Sequence, residues 1–221
     1  MAGNIVRNYQ KELDEITAHL SESGKRKLLL HSCCAPCSSY CLEYLSEYFD
    51  ITVFYFNPNI TDKNEFDKRA AEQERLVKTV NLDWRDRIFE NIKFVRGDYE
   101  PARFLEISKG LEKVPEGGER CRKCFELRLE ESAKYAKENG YDFFTTTLTI
   151  SPLKNAHVLN EVGENMGEKY GISFLPSDFK KKNGYKRSTE LSKQYDLYRQ
   201  DYCGCAFSKA ERMAQIKDNN K

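Results

Sequence analysis

Short apolar runs alternate with amphipathic segments along most of this chain, and that alternation limits the fold more than any other feature. "KRKLLLHS" (25–32) reads as a buried strand. "ITVFYFNPN" (51–59) reads as a second, stopped by Asn57-Pro58-Asn59. "IKFVRGDYE", "YDFFTTTLTI" and the short "ISFLPSDF" supply three more. Helical spacing comes between them. Residues 6–22 place Val6, Leu13, Ile16 and Leu20 near one face. "SSYCLEYLSEYF" spaces Tyr40, Leu42, Tyr44 and Leu45 as a helix, with Ser38 or Ser39 as its cap. "DKNEFDKRAAEQERLVKTVN" is a charged, exposed helix. "PARFLEISKGLEKVPEGGER" is a helix or turn followed by a loop broken at Pro115-Glu116-Gly117-Gly118. "CRKCFELRLEESAKYAKENG" is a long amphipathic helix that ends at Gly140, and "LKNAHVLNEVGENMGEKYG" is another helix. Beyond 179 a basic loop leads into helical patterns on both sides of "YCGCAFS".

The order β-α-β-α-β-α-α-β-α-β predicts an α/β fold: a parallel sheet with helices on both faces, followed by a helical C-terminal extension. A chain of 221 residues suits one such domain, and neither a repeat nor a linker divides it. We expect 1–221 to form a single α/β domain, with 177–221 as its basic loop and helical extension.

Thirty-six Lys and Arg against 35 Asp and Glu leave a net charge of +1, so any nucleic-acid surface must be a local patch. The opening "MAGNIVRNYQKELDEITAHL" lacks an apolar signal core, and no run approaches the roughly 18–20 apolar residues that span a bilayer. The expectation is a soluble, cytoplasmic protein without a membrane partner. Disulfides are disfavoured there, so clustered cysteines read first as metal ligands or redox groups.

The chain's eight cysteines fall into three groups: Cys33, Cys34, Cys37 and Cys41; Cys121 and Cys124; Cys203 and Cys205. The first group lies where the first strand ends, the edge at which open α/β sheets bind ligands. The second is a C-x-x-C at a helix start, with both sulfurs on one face. The helix N-terminus and Arg120, Arg122 and Lys123 should favour thiolates there. Only glycine separates the third pair, which lets the backbone fold tightly around a ligand. Any one group alone is as readily a packing or structural-zinc feature as a functional one. Three groups together point to a shared metal or redox centre. Cys41 sits inside a helix and reads as core. Seven thiols exceed the four that one zinc or one cubane cluster takes, which leaves three options: a cluster plus a second metal, a cluster plus a redox thiol pair, or two zinc sites.

Other groups carry weaker signals. Lys180, Lys181, Lys182, Lys186 and Arg187 surround Asn183-Gly184-Tyr185, with Lys193, Tyr195, Tyr198 and Arg199 nearby. Cations interleaved with tyrosines suit RNA, although a solvated basic loop has the same composition. Asn57 and Asn59 fit either a polar substrate or an Asx turn. Thr147, Thr149 and Ser151 end the fourth strand similarly. His31 reads as a hydrogen-bonded core residue, and His19 and His157 suggest no site.

In this order, "HSCCAPCS", "EGGERCRKCFELRL", "TTLTISPLKN", "LPSDFKKKNGYKRS" and "YRQDYCGCAFS" resemble the epoxyqueuosine reductase family that does not use cobalamin (QueH), from about Asn8 to Ser208. The resemblance implies reduction of the epoxide of epoxyqueuosine to the cyclopentene of queuosine, at the wobble position of a tRNA anticodon loop. It implies a Rossmann-like fold of the nucleotide-hydrolase (HUP-like) kind. It also implies a [4Fe–4S] cluster with an additional mononuclear iron beside it, and carries over to Cys33, Cys34, Cys37, Cys121, Cys124, Cys203 and Cys205. Which thiols serve the cluster and which the further iron stays open. An external one-electron donor, ferredoxin- or flavodoxin-like, must refill the cluster. Asp178, Tyr185 and Asp14 are the expected catalytic groups, Asp178 or Tyr185 as proton donor and Asp14 or Asp178 as a carboxylate at the second metal. Asn57, Asn59, Ser151, Lys182, Arg187 and Arg199 are the expected substrate contacts, and 177–221 packs on the metal site.

Two rivals share these features. A zinc-stapled RNA-binding module without redox activity would use the same thiols and the same basic loop. An ATP-dependent tRNA-modifying enzyme would share the fold, but it needs a glycine- and serine-rich phosphate loop where this chain has "HSCCAPCS".

Overall fold

A computed structural model of the chain describes residues 7–20, 25–86, 88 and 90–219. Its centre is β1 (Arg26–His31), whose Leu28, Leu29 and Leu30 are fully buried. A continuous apolar run of this kind belongs to a parallel strand covered on both faces. On one side β1 pairs with β2 (Phe49–Tyr55), which pairs with β3 (Lys93–Arg96); on the other it pairs with β4 (Phe143–Thr146), followed by β5 (Ser173–Phe174). All pairings are parallel and the order is β3-β2-β1-β4-β5, the doubly wound, Rossmann-like arrangement. The strand order reverses between β1 and β4, so the carboxyl ends of these two strands open a crevice.

Side-chain alternation divides the core between the two faces of the sheet. Leu28 and Leu30 join Leu13 of α1 (Tyr9–Leu20), Leu42 and Leu45 of α2 (Ala35–Leu45), Leu76 and Val80 of α3 (Lys63–Asp83), and Leu191 of α7 (Gly184–Gln194). On the opposite face Leu29, Phe54 and Phe144 meet Ala133 and Ala136 of α5 (Glu119–Glu138), with Met166 of α6 (Ala156–Tyr170) packed alongside. The short α4 (Pro101–Ile107) precedes α5, and α8 (Ala206–Asn219) closes the chain. Among the described residues no helix is long and apolar enough to cross a membrane.

Three local expectations need correction. The helix after β1 starts at Ala35 rather than near Ser38, because Pro36 fixes a helical φ in its first turn and extended Cys34 is its N-cap. Ser38 and Ser39 therefore cap nothing; they are buried and donate to carbonyls one turn back, Ser38 to those of Cys34 and Ala35 and Ser39 to that of Pro36. The same helix ends at Leu45, and Phe49 already belongs to β2. β4 stops at Thr146, whose hydroxyl accepts from the Leu148 amide and starts a 3₁₀ turn over Thr147–Ile150. The helix expected over 6–22 is α1, Tyr9–Leu20; Val6 and residues 21–22 lie outside the described residues.

The approach to α7 fixes its distance from α2. Lys182 and Asn183 adopt left-handed φ values of 49° and 63°, and Gly184 then starts the helix. A Cβ on Gly184 would stand 1.9 Å from the Phe179 carbonyl oxygen and 2.4 Å from the Tyr40 ring. A backbone oxygen cannot swing aside as a side-chain end can. Gly184→Ala should therefore cost roughly 1–3 kcal/mol of stability. Urea unfolding followed by far-UV circular dichroism checks this; an unchanged midpoint would show that α7 can move away freely.

Candidate metal centre

The carboxyl end of β1 delivers His31, Ser32, Cys33 and Cys34 to the crevice, and Cys37 follows in the first turn of α2. The Cys33, Cys34 and Cys37 sulfurs all lie within 4.8 Å of one another, a donor set that can hold a metal ion. Buried amides fix this turn from beneath. Gln73 of α3 accepts from the Ser32 hydroxyl at 2.7 Å and the Ser38 hydroxyl at 2.8 Å, while Asn57 Nδ2 donates to the Ser32 carbonyl at 2.9 Å.

Without metal, the triad concentrates charge on one sulfur. Hydrogen bonds from the Cys34 and Cys37 thiols hold Cys33 well below the ordinary thiol range; Arg128 and Lys154 assist and burial opposes. The same bond to Cys33 pushes Cys34 up to about 12. Cys37 is raised for the same reason, by hydrogen bonds to Cys33 and Cys34.

The other two groups come to the same crevice. Cys121 and Cys124 start α5, and Cys203 and Cys205 immediately precede α8. Gly204 between the latter has φ +122°, and a Cβ there would be 2.8 Å from Ile60. Only glycine fits this turn. Arg69 of α3, buried and paired with Glu65 at 2.7 Å, clamps the loop from behind by donating to the carbonyls of Cys203 (3.2 Å) and Tyr202 (3.4 Å).

Two adjoining cavities result. Cys121, Cys124, Cys203 and Cys205 wall the smaller, of about 300 Å³. Cys33, Cys37 and Cys203 wall the larger, of about 780 Å³, with Arg128, Ser151, Tyr185 and Arg199. Cys203 and Lys154 line both. Soft thiolates are the ligands that iron–sulfur clusters and zinc select, and four on one cavity beside a triad meet the donor needs of a cluster with a second metal. Cys41 takes no part; it is buried in the core and donates to the Cys37 carbonyl.

The expected thiolates of Cys121 and Cys124 require correction for the metal-free chain. Burial raises both, Cys124 to about 12, and likewise raises Cys205 to about 11. The three nearby cations are turned elsewhere. Arg120 donates to the carbonyls of Leu111, Glu112 and Val114, Arg122 pairs with Glu161 and Glu126, and Lys123 pairs with Glu119.

Of the other candidates, Ser151, Tyr185 and Arg199 line the larger cavity and Asn59 the smaller. The Asn59 Oδ1 is buried and finds no hydrogen-bond partner among the described residues. Asn57 is fully buried beneath the crevice. Asp14, Asp178, Lys182 and Arg187 are not among the residues walling either cavity. Asp14 accepts from Gln10, Tyr44 and Lys182; Asp178 accepts from Lys180; Arg187 pairs with Glu43 and Glu190. His31 is a buried hydrogen-bonded residue, near Thr146 Oγ1 (2.9 Å) and the Phe56 carbonyl (3.1 Å). Burial, with Arg128 adding to it, lowers His31 to about 3, so its ring is neutral.

The sequence reading missed Gln73, Arg69, Lys154 and Arg128. For Arg128 a signal existed: positions 121, 124 and 128 share one helix face.

A sequence profile described as "Epoxyqueuosine reductase QueH" matches residues 28–211. Three curated relatives carry the same name. The protein of Staphylococcus epidermidis is 45% identical over 97% of this chain and 90% of its own length. That of Staphylococcus aureus is 43% identical over 97% and 89%. That of Streptococcus pyogenes serotype M1 is 41% identical over 100% and 87%.

The charge pattern of the triad makes a prediction. In the chelator-treated protein, iodoacetamide should label Cys33 before Cys34 or Cys37. Because its thiol ionises well below the ordinary range, its labelling rate should fall less steeply from about pH 8.5 to 7 than that of an ordinary thiol, which slows by roughly tenfold across this range. Peptide mapping by mass spectrometry checks both points. Equal labelling of the three would overturn the assignment.

Proposed function

Since this chain belongs to the epoxyqueuosine reductase QueH family, we propose that it reduces epoxyqueuosine at the tRNA wobble position to queuosine. The conversion takes up two electrons and two protons, breaks both C–O bonds of the epoxide, forms the cyclopentene double bond and releases water. The observation that supports this reading best is the convergence of six thiols from three distant segments on one pair of cavities, with Cys34 completing the triad beside them.

Cys33, Cys34, Cys37, Cys121, Cys124, Cys203 and Cys205 are the residues that would hold a [4Fe–4S] cluster and one further iron. When bound, these would supply electrons singly, replenished by a ferredoxin- or flavodoxin-like donor, and a Lewis acid for the epoxide oxygen.

The rest falls to the chain's own side chains. The larger cavity is of the size that takes a nucleoside-sized ligand. Splaying a base out of an anticodon loop into it costs less than extracting one from a duplex. Ser151 on its wall is the side chain we assign to orient a polar base, and Asn59 is assigned a supporting role from the adjoining smaller cavity. Tyr185 exposes its phenol on the same wall and is the proton donor we assign first. Asp178 and Asp14, bound to Lys180 and Lys182, anchor the segment that leads into Tyr185 and are second in line. Lys182 and Arg187 have acidic partners and wall neither cavity, so we assign the main phosphate contact to Arg199 on the larger cavity, with Arg212, which stands 3.6 Å from Asp201, on the same wall.

Anaerobic purification tests the reading. We expect a brown protein with about five irons and about four sulfides per chain. It should convert an epoxyqueuosine-bearing anticodon stem-loop to the queuosine form, as followed by mass spectrometry of the nucleosides. A fully loaded protein without conversion sinks the proposal, and a colourless zinc protein that only binds RNA would favour the zinc-stapled module. Tyr185→Phe should lower kcat by about 10²-fold with stem-loop binding unchanged. Arg199→Ala and Arg212→Ala should each weaken stem-loop binding and reduce the slope of log K against log salt by about 1. Unchanged slopes would place docking elsewhere.

A further inference from the structure

Arg128 is a buried cation without a carboxylate. It is 1% exposed, on the face of α5 that carries Cys121 and Cys124. Its Nη2 donates to Asn57 Oδ1 at 2.5 Å, and its Nε lies 3.3 Å from His31 Nε2. Among the described residues it makes no ion pair with an aspartate or glutamate. The two other arginines buried to the same degree differ: Arg69 pairs with Glu65, and Arg120 reaches Glu211.

A buried guanidinium lacking an anion is strongly destabilising, so negative charge must stand beside it. Its amide and imidazole partners are neutral. What remains is sulfur: Arg128 walls the larger cavity together with Cys33 and Cys203, and Cys124 stands one turn before it on α5, so thiols from all three cysteine groups surround it. Lys154 lines both cavities among the same thiols.

We propose that Arg128 is the fixed counter-charge of the thiolate centre, the cation around which the three cysteine groups assemble and which stabilises their anionic, metal-binding form. It acts through the cysteines and is a positioning residue. The proposal rests on the iron-reductase reading only for which metal is bound natively. Removing the charge should weaken metal binding and lower the reduction potential of a bound redox centre, because a nearby cation favours the more negative, reduced state.

The test titrates the full-length, anaerobic, metal-free chain with Co²⁺, whose thiolate charge-transfer absorption reports sulfur ligation, in wild type, Arg128→Gln and Arg128→Lys. Arg128→Gln should bind on the order of 10- to 100-fold more weakly. Arg128→Lys should recover most of the loss, and after reconstitution with iron and sulfide the midpoint potential should fall in Arg128→Gln and return toward wild type in Arg128→Lys. A folded Arg128→Gln that binds Co²⁺ like wild type overturns the proposal. So does an Arg128→Lys as weak as Arg128→Gln, since hydrogen-bond geometry alone would then account for the effect. If Arg128→Gln does not fold, Cys33→Ser and Cys33→Ser/Arg128→Met decide by thermal melting. With one anion gone, the double variant should melt above the single one; a lower or absent melting transition overturns the proposal. A wild type that takes up Co²⁺ on sulfur but no iron–sulfide would count against the iron reading and leave the role of Arg128 standing.

Discussion

The turn from β1 into α2 is the constraint on which the site depends. A buried parallel strand must leave the sheet at its carboxyl end, and the next helix must begin within a few residues to return over the sheet face. Here that turn is short, extended at Cys34 and committed to helix by Pro36. It has no glycine to open the close backbone cradle that a phosphate needs. It puts three sulfurs at the crevice instead, and its polar side chains face inward. Ser32 and Ser38 are both tied to Gln73, and Asn57 holds the Ser32 carbonyl. A turn fixed from beneath in this way presents thiols in a set geometry before any ligand arrives, which lowers the ordering cost of binding.

Charge follows the same economy of position. Most acidic and basic side chains here meet on the surface, as Arg187 does with Glu43, where such pairs contribute little. Behind the cysteines the pattern reverses: Cys33 acts on Arg69, Arg128 and Lys154 alike, and among the described residues only Arg69 of the three has a carboxylate in contact. A cationic wall of this kind offsets the anionic charge that a multi-thiolate centre accumulates. Burial works against these cations in the metal-free chain. Cys34, Cys37, Cys124 and Cys205 are held as neutral thiols by burial and mutual hydrogen bonds, so metal uptake must release their protons.

Much of this was legible in the sequence, for identifiable reasons. Leu28–Leu30 and the helical spacings announce a parallel sheet because burial on two faces leaves an unbroken apolar run. The cysteine groups stood out because ligand spacing is local. What was misread turned on side chains competing with the backbone. The Thr145-Thr146-Thr147 run looks like strand throughout, yet the Thr146 hydroxyl captures an amide and ends it. Arg120, Arg122 and Lys123 look like a positive field over Cys121 and Cys124, yet each is spent on an oxygen elsewhere: Arg120 on the carbonyl of Leu111, Arg122 on the distant Glu161, and Lys123 on Glu119 one helical turn away. The same holds for Lys182 and Arg187, whose partners Asp14 and Glu43 lie far away in the chain. Arg128 went unnoticed because it stands in an ordinary charged helix, where the face it shares with Cys121 and Cys124 is a weak signal until its burial is seen.

The separation of the cysteine groups also orders assembly. Two sit on or beside helices that pack against the sheet, whereas Cys203 and Cys205 belong to the last segment of the chain. That segment is held largely by polar contacts: Arg69 to the Cys203 carbonyl, Ser208 to Glu116, and Arg120 to Glu211. Such contacts are individually modest, and closing a long loop to make them carries an entropy cost. Cys203 nevertheless lines both cavities, so neither is complete until this segment docks. A metal bound by thiols from the sheet edge and from the C-terminal turn would bind only the docked form and stabilise it by mass action. Such a centre would then work as a structural clasp as well as a reactive group, and the strength of that clasp would depend on how readily the buried thiols give up their protons.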